Sequence, residues 1–182
     1  MQEPLYKPPS SKTVAAGFFR KMAGGLEPVP SVPVREALTS GIGGLLAIAL
    51  VSWLSVASGV PWMMAPLGGS CVLAFAAHNS PFAQPRSIVG GHLIATAIGI
   101  LAAKGLGPTW WAMALCVGLS ISAMLLTRTV HPPAGANPII VLSADTDWMF
   151  LVQPVLLGSI AMVVAALLFN NLVRERQYPR YW

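Results

Sequence analysis

The chain has 182 residues, of which 55% are hydrophobic and 9% charged, and its mean hydropathy is +0.67. Soluble domains carry about 25% charged residues, so this composition excludes an ordinary soluble protein and indicates an integral membrane protein. The formal charge of +5 comes from 11 Lys and Arg against 6 Asp and Glu. Most of these cations flank the apolar part, as cytoplasmic flanks of membrane helices do. We therefore expect the lipid bilayer, and no nucleic acid, as a partner.

The two ends of the chain are polar. Residues 1–34 contain several prolines and are expected to form a cytoplasmic N-terminal tail. Within it, residues 14–26 are compatible with a short interfacial helix or with an ordinary flexible tail. Residues 174–182 are expected to form a cytoplasmic C-terminal tail.

Four apolar segments are long enough to cross a bilayer, which takes roughly 17 to 25 residues in a helix. Two shorter apolar runs, residues 61–77 and 132–144, carry prolines at their front. Proline removes a backbone donor and is poorly tolerated inside a helix, so each short run predicts a broken helix. The four long segments are residues 37–58, 88–106, 110–130 and 149–172.

The two short runs align with each other, residues 66–73 with residues 133–140. Each follows a long apolar segment and precedes a Gln-Pro pair and another apolar segment. The chain thus divides into two membrane repeats, residues 35–106 and residues 107–173. Short proline- and glycine-interrupted segments at matching places in two halves indicate a transporter site.

These observations predict an all-α integral membrane fold. In the favoured arrangement, six short transmembrane helices form two inverted three-helix repeats with broken middle helices. The alternative has four spans and two re-entrant half-helices. Both arrangements keep both termini cytoplasmic, but only the first also places Arg86 and Arg128 on that side. Lys104 is the basic residue that disagrees with it.

The interrupted stretches predict a binding site for a small anion near the middle of the bilayer. Helix N-termini expose unpaired N–H groups and partial positive charge, and small residues allow close approach. The alternative is that the small residues serve helix packing. The candidate residues are Pro66, Gly68, Gly69 and Ser70 in the first half, and Pro132, Pro133, Gly135, Ala136 and Asn137 in the second.

Two histidines join this candidate site. His92 lies inside an apolar segment and His131 precedes the second break, and ionisable residues at such places are functional candidates. Either could bind an anion when charged or relay a proton, or could be a neutral, hydrogen-bonded structural residue. Arg86 and Arg128 are candidates for the entrance, where they would attract anions, or else they anchor the orientation.

No enzyme constellation is visible. The apolar segments contain no paired carboxylates, no P-loop and no nucleophile with a base. Cys71 and Cys116 lie in apolar segments without metal-ligand spacing. We expect no catalytic residue, no metal and no cofactor.

The motifs resemble those of the HPP family of integral membrane proteins. The similarity rests on His131-Pro132-Pro133-Ala134-Gly135-Ala136, and on further blocks over residues 65–70, 80–86 and 90–92. It covers roughly residues 35–172 and leaves out both tails. The family is usually described with four spans, which contradicts the favoured six. Its plastid and cyanobacterial members are associated with nitrite uptake, while many bacterial members have no assigned substrate.

The sequence therefore predicts a transporter or channel for a small inorganic anion, with nitrite as the first candidate. The alternative is a non-transporting membrane protein whose breaks shape packing only. We expect a homo-oligomer in a bacterial-type inner membrane. The sequence leaves open whether transport would be channel-like or coupled to protons.

Overall fold

The computed structural model describes Met22, residues 31–144 and residues 146–182. The interfacial helix predicted over residues 14–26 lies outside this part except for Met22. The described chain is all-helical, and no strand occurs in it. It forms one compact unit from Pro33 to Trp182.

Six helices make up this unit, together with two single-turn 3₁₀ helices, Pro81–Ala83 and Pro132–Ala136. The second helix continues into a π-helical turn, Val72–Ala76, and the sixth is preceded by a segment, Leu151–Leu156, that is kinked at Gln153, whose φ of −127° and ψ of 108° are not helical. The helices are α1 Val34–Ser58, α2 Pro66–Cys71, α3 Pro85–Leu106, α4 Trp110–Leu126, α5 Asn137–Ala144 and α6 Leu157–Leu172.

Three of the described helical segments are long and apolar enough to cross a membrane by themselves. They are Val34–Ser58, Pro85–Leu106 and Leu151–Leu172. The apolar segments Pro66–Ala76 and Trp110–Leu126 are shorter. The composition and these helices together identify an integral membrane protein.

One predicted segment end is wrong, and the two short runs, which are predicted to be broken at the front, are helical only in their later part. α4 ends at Leu126, not at residue 130, because the chain turns away at Arg128, whose φ of 57° is left-handed. The run 61–77 is helical only from Pro66, and the run 132–144 is α-helical only from Asn137. Proline fits the first turn of a helix, where its missing N–H costs nothing. The prolines therefore begin these short helices and do not interrupt them.

α3 lies at the centre of the unit. It contacts α4, α5, α6 and both 3₁₀ helices. Its approach to the second half of the chain depends on two glycines, since a Cβ on Gly91 would lie 2.7 Å from His131 Cβ, and one on Gly99 would lie 2.9 Å from Pro138 Cα. These two small residues therefore allow α3 to pack closely against the second half of the chain.

The C-terminal tail packs onto one end of the unit. The tyrosine hydroxyl of Tyr178 donates to the carbonyl of Ala83 at 2.7 Å, and the backbone N–H of Arg180 donates to Gln84 at 2.7 Å. Arg176 is 7% exposed and reaches the start of α1. Residues 174–182 thus form part of the folded unit.

Arg176 holds this end together. Its guanidinium donates to Asn170 at 2.8 Å, to Ser40 at 2.8 Å and to Glu36 at 2.5 Å. Asn170 in turn donates to the carbonyl of Ala74 at 3.0 Å. One buried side chain thereby connects α1, α6 and the turn that follows α2.

Arg176→Ala is expected to lower the free energy of unfolding by about 2 to 3 kcal/mol, because hydrogen bonds to a buried charge are lost and Asn170 loses its donor. Thermal unfolding in detergent measures this. The matched control is Arg35→Ala, which removes an exposed pair with Glu175 and is expected to change stability by less than about 1 kcal/mol. Equal effects of the two substitutions would contradict this role of Arg176.

His78 lies near the same end and is expected to make stability depend on pH. Burial, then Arg176, lowers the pKa of His78, against a smaller opposite effect of Glu36 and with a further lowering by Arg180. The folded protein thus binds this proton less well than the unfolded chain. Its contribution to stability is complete above about pH 6.5 and is lost as the pH falls through the lowered pKa.

We therefore expect the unfolding midpoint to fall between about pH 7.5 and about pH 5.5, and to fall less in His78→Asn. The difference between the pH slopes of wild type and His78→Asn separates the effect of His78 from that of other titrating groups. An identical slope in the variant would show that His78 does not carry this effect.

Candidate functional site

Five polar side chains meet in the apolar interior and form what we call the polar cluster: Ser70, His92, Thr96, His131 and Asn137. Each is at most 1% exposed. They come from α2, α3, α5 and the segment that leads into the second 3₁₀ helix. Buried polar groups of this kind are stable only when they are hydrogen-bonded.

Ser70 lies between the two histidines. Its Oγ is 2.9 Å from Nε2 of His92 and 2.8 Å from Nε2 of His131. The two imidazole rings are edge-to-face, with centroids 4.9 Å apart. The carbonyl of Pro66 is 3.3 Å from the same hydroxyl. One hydroxyl therefore connects both rings.

Asn137 closes the other side of the cluster. Its Nδ2 donates to Oγ1 of Thr96 at 2.8 Å and to the carbonyl of His92 at 3.3 Å. Nδ1 of His92 is 3.1 Å from Nδ2 and 3.3 Å from Oδ1 of Asn137. The amide therefore has both a donor and an acceptor within reach of that ring nitrogen.

The hydrogen-bond network assigns the histidine tautomers. Nδ1 of His131 is 2.7 Å from the carbonyl of Phe82, which can only accept, so this nitrogen carries the proton. Nε2 of a neutral His131 then accepts from the Ser70 hydroxyl. The Ser70 oxygen is left to accept from Nε2–H of His92, whose Nδ1 accepts from Asn137. Each group in this series thus donates to the next one, from Asn137 through the two histidines and Ser70 to the carbonyl of Phe82.

The two proline-bearing stretches meet beside the polar cluster. A Cβ on Gly69 would lie 3.1 Å from the Pro133 ring, and Ser70 bonds His131. α2 is therefore in contact with the second 3₁₀ helix and with the residue that precedes it.

The predicted supply of unpaired amides is wrong. The N–H groups of Leu67, Gly68 and Ala134 donate to carbonyls three residues earlier, at 3.0 Å each. Ser70 lies one turn inside α2 and not at its start. Because short 3₁₀-type bonds satisfy the first amides, the site consists of side chains and not of free backbone donors.

The candidate residues from the sequence fall into two groups. Pro66, Ser70, His92, His131 and Asn137 are buried at or beside the polar cluster. The others line the surface around it. Gly68, Gly69, Pro132 and Ala136 are exposed, Pro133 and Gly135 are half-buried, and Pro132, Gly135 and Ala136 border an apolar groove of about 490 Å³ beside α4.

Arg86 and Arg128 lie at one end of the molecule. Nη2 of Arg86 donates to the carbonyl of Thr127 at 3.1 Å, so the two arginines are neighbours. Both are exposed, and they are outside the polar cluster.

Sequence reasoning missed two members of the network, Thr96 and the carbonyl of Phe82. Thr96 follows His92 by four residues, and residues at this spacing share one face of a helix. That spacing could have identified it. The role of Phe82 could not be found from the sequence because it depends on a backbone atom of a distant turn.

Metal binding has no support in the described residues, where no group of three His, Cys, Asp or Glu could hold an ion. The cluster itself offers two imidazoles, a hydroxyl and an amide. This donor set suits hydrogen bonding and proton transfer.

Comparison with known proteins gives the family. The sequence profile described as "HPP, transmembrane region" matches residues 29–179. This range extends the predicted resemblance into the C-terminal tail, which agrees with its packing.

Two Dictyostelium discoideum proteins, each named as a transmembrane protein, are similar over 91% of this chain, at 35% and 32% identity. The chain spans 57% and 63% of the length of these two relatives. No solved structure matches. With its matched profile, its apolar helices and its HPP motif, the chain belongs to the HPP family of transmembrane proteins.

Proposed function

We propose that this protein transports a small inorganic anion across the membrane and that the polar cluster is its substrate site. The observation that carries the proposal is the cluster itself, which gathers five buried polar side chains from four parts of the chain. Polar and ionisable groups are costly in a membrane interior, and they mark pathways for ions and substrates. Nitrite is the first candidate, because the resemblance is to a family with members associated with nitrite uptake.

The chemistry of the cluster suits a small oxyanion. Asn137, Ser70 and the imidazole N–H groups are donors, and a protonated histidine adds positive charge without a buried lysine or arginine. In the described arrangement these groups bond one another. Substrate binding then exchanges side-chain hydrogen bonds for bonds to the anion, while the short helices separate enough to admit it.

The topology that fits this proposal has six crossings in two inverted repeats. Two facts support it. Near one end of the molecule, Arg176 joins α1, α6 and the turn after α2. Residues 59–76 therefore run from the opposite end of α1 back to the end where Arg176 lies. Conversely, residues 127–144 start beside Arg86 and end where Leu142 packs against residues 102–106 and Ala112.

The basic end is proposed to face the cytoplasm of a bacterial-type inner membrane. Arg35, Arg86, Arg128 and Arg176 gather there through the contacts described above, in accord with the excess of basic residues on that side of membranes. Lys104 lies over the ring of Trp148 at 5.6 Å, at the opposite end. Arg86 and Arg128 would then form the cytoplasmic entrance.

Uptake into liposomes tests the function. The purified protein is reconstituted, nitrite is added outside, and the nitrite retained inside is measured against protein-free liposomes. The proposal predicts saturable, protein-dependent uptake that other small anions reduce by competition. Uptake at the protein-free rate by folded, inserted protein would overturn it.

A second candidate is a membrane structural or interaction protein in which the stretches serve packing only. Its support is that every member of the cluster already has a hydrogen-bond partner within the protein, and that Gly69 fits closely against Pro133. The same uptake measurement separates the candidates, since a packing protein gives no flux.

A further inference from the structure

We propose that His92, Ser70 and His131 form a proton path, and that one proton crosses with each anion. The coupling rests on the function proposed above. The path rests on geometry, because the two imidazoles are joined by one hydroxyl at 2.9 Å and 2.8 Å. A hydroxyl both donates and accepts, so it passes a proton without holding charge.

The transfer balances at each atom. A proton taken up at Nδ1 of His92 makes that ring a cation. The Nε2 proton of His92 moves to Ser70 Oγ while the hydroxyl proton of Ser70 moves to Nε2 of His131. Ser70 is neutral before and after, and the positive charge is now on His131. Loss of the Nδ1 proton of His131 to water completes the transfer, with one proton in and one out.

Both ends of this path have a suitable partner. At His92, the Asn137 amide offers Nδ2 at 3.1 Å to an unprotonated Nδ1, or Oδ1 at 3.3 Å to a protonated one. At His131, the Nδ1 proton points to the carbonyl of Phe82, whose residue is 41% exposed. Each transfer leaves the proton on Nδ1 of His92 and on Nε2 of His131, so both imidazoles must return to their first tautomers by exchanging a proton before the next transfer. The Ser70 hydroxyl must also turn back, and the carbonyl of Pro66 at 3.3 Å gives it an intermediate position.

The two histidines are the ionisable groups at the centre of this network. In the part of the chain that the structure describes, no acidic, lysine or arginine side chain hydrogen-bonds to the cluster. Arg86 bonds Thr127, and Lys104 lies over Trp148. The other ionisable side chains on the packed elements are Cys71 on α2, Cys116 on α4, Arg128 before the second 3₁₀ helix and His78 in the turn before the first.

Coupling follows from the cost of charge in a membrane interior. A lone anion or a lone imidazolium is costly there, whereas the two together are neutral as a pair. An anion in the cluster therefore favours protonation of the adjacent histidines, and a proton on the path favours anion binding. Each ligand strengthens the binding of the other.

The experiment measures both species in the same liposomes. Nitrite uptake and internal acidification, followed with a trapped pH dye, are recorded with and without an inward acid gradient, and protein-free rates are subtracted because nitrous acid crosses lipid unaided. Wild-type protein is expected to acidify the interior by one proton per anion. Ser70→Ala is expected to lose this acidification and the acceleration by the gradient at least tenfold.

Ser120→Ala is the matched control. Ser120 is equally buried, but its hydroxyl bonds only the carbonyl of Cys116 in its own helix, at 2.7 Å. It is expected to keep the wild-type ratio of protons to anions. Anion uptake without proton uptake in the wild type would overturn the path alone, whereas absence of anion uptake would overturn the proposed function. An unchanged ratio in Ser70→Ala would also exclude this path.

A second readout does not depend on transport or on the Ser70 variant. The ¹⁵N signals of the histidines in the folded wild-type protein report which ring nitrogen carries the proton. The path requires the proton on Nδ1 of His131 and on Nε2 of His92 at neutral pH. The opposite assignment at either ring would break the order of donors and overturn the proposal.

Discussion

Replacing Asn137 with leucine is expected to reduce anion uptake at least tenfold. Leucine has a similar volume but cannot donate, so Nδ1 of His92 and Oγ1 of Thr96 lose their donor. An unsatisfied buried group costs about 1 to 3 kcal/mol, and about 1.4 kcal/mol corresponds to a tenfold change in rate. Initial rates of uptake into liposomes measure the effect.

The control makes the same chemical change elsewhere. Asn171 is exposed on α6 and bonds backbone carbonyls at the basic end, outside the polar cluster. Asn171→Leu is expected to keep uptake within about twofold of wild type at equal protein content. Equal uptake by both variants would show that Asn137 is not part of the substrate site.

The second large effect concerns Gly158, which packs against the segment that leads into α2. A Cβ at this position would collide with the backbone carbonyl oxygen of Trp62 and lie 2.9 Å from the side chain of Leu67. Backbone cannot move aside as a flexible side chain does. Gly158→Ala is therefore expected to destabilise the fold by about 1 to 3 kcal/mol, despite the better helix propensity of alanine.

Gly118 provides the comparison. It lies in α4, and no atom of another element lies within 4 Å of the position that a Cβ would take there. Gly118→Ala is expected to leave the thermal unfolding midpoint in detergent unchanged or to raise it. A Gly158→Ala midpoint equal to that of Gly118→Ala would show that the close approach of α6 to residues 59–65 does not matter for stability.

Much of the membrane architecture follows from the sequence, because long apolar runs have few alternatives in lipid. Four predicted segments correspond to α1, α3, α4 and α6. The helix starts could not be placed from the prolines alone, since proline both disrupts a helix interior and begins a helix well. Pro66 begins α2, although the sequence predicts that it interrupts a helix.

Four of the five members of the cluster could be named from the sequence, but their hydrogen bonds could not. His92, His131, Ser70 and Asn137 stand out as polar residues in or beside apolar segments. Their pairing joins residues 22 to 61 positions apart and depends on how α2, α3 and α5 pack. Helix ends usually have unpaired amides, whereas short-range hydrogen bonds satisfy the first amides of these helices.

The sequence indicates the buried face of α3 but not that of α1. On α3, Gly91 and Gly99 contact the second half of the chain, as their small size suggests. On α1, Gly41 and Gly44 have nothing within 4 Å of an added Cβ, and the contact is made by Gly43 against Phe75 and Phe169. α1 is apolar around most of its surface, so the sequence does not indicate which side is buried.

The most direct test is whether the anion reaches the polar cluster. Histidine ¹⁵N spectra of the folded protein would be recorded as nitrite is added at constant pH and ionic strength. Binding at the cluster predicts saturable shifts of the His92 and His131 signals, and none at His78. Unchanged His92 and His131 signals at nitrite concentrations that saturate uptake would contradict it.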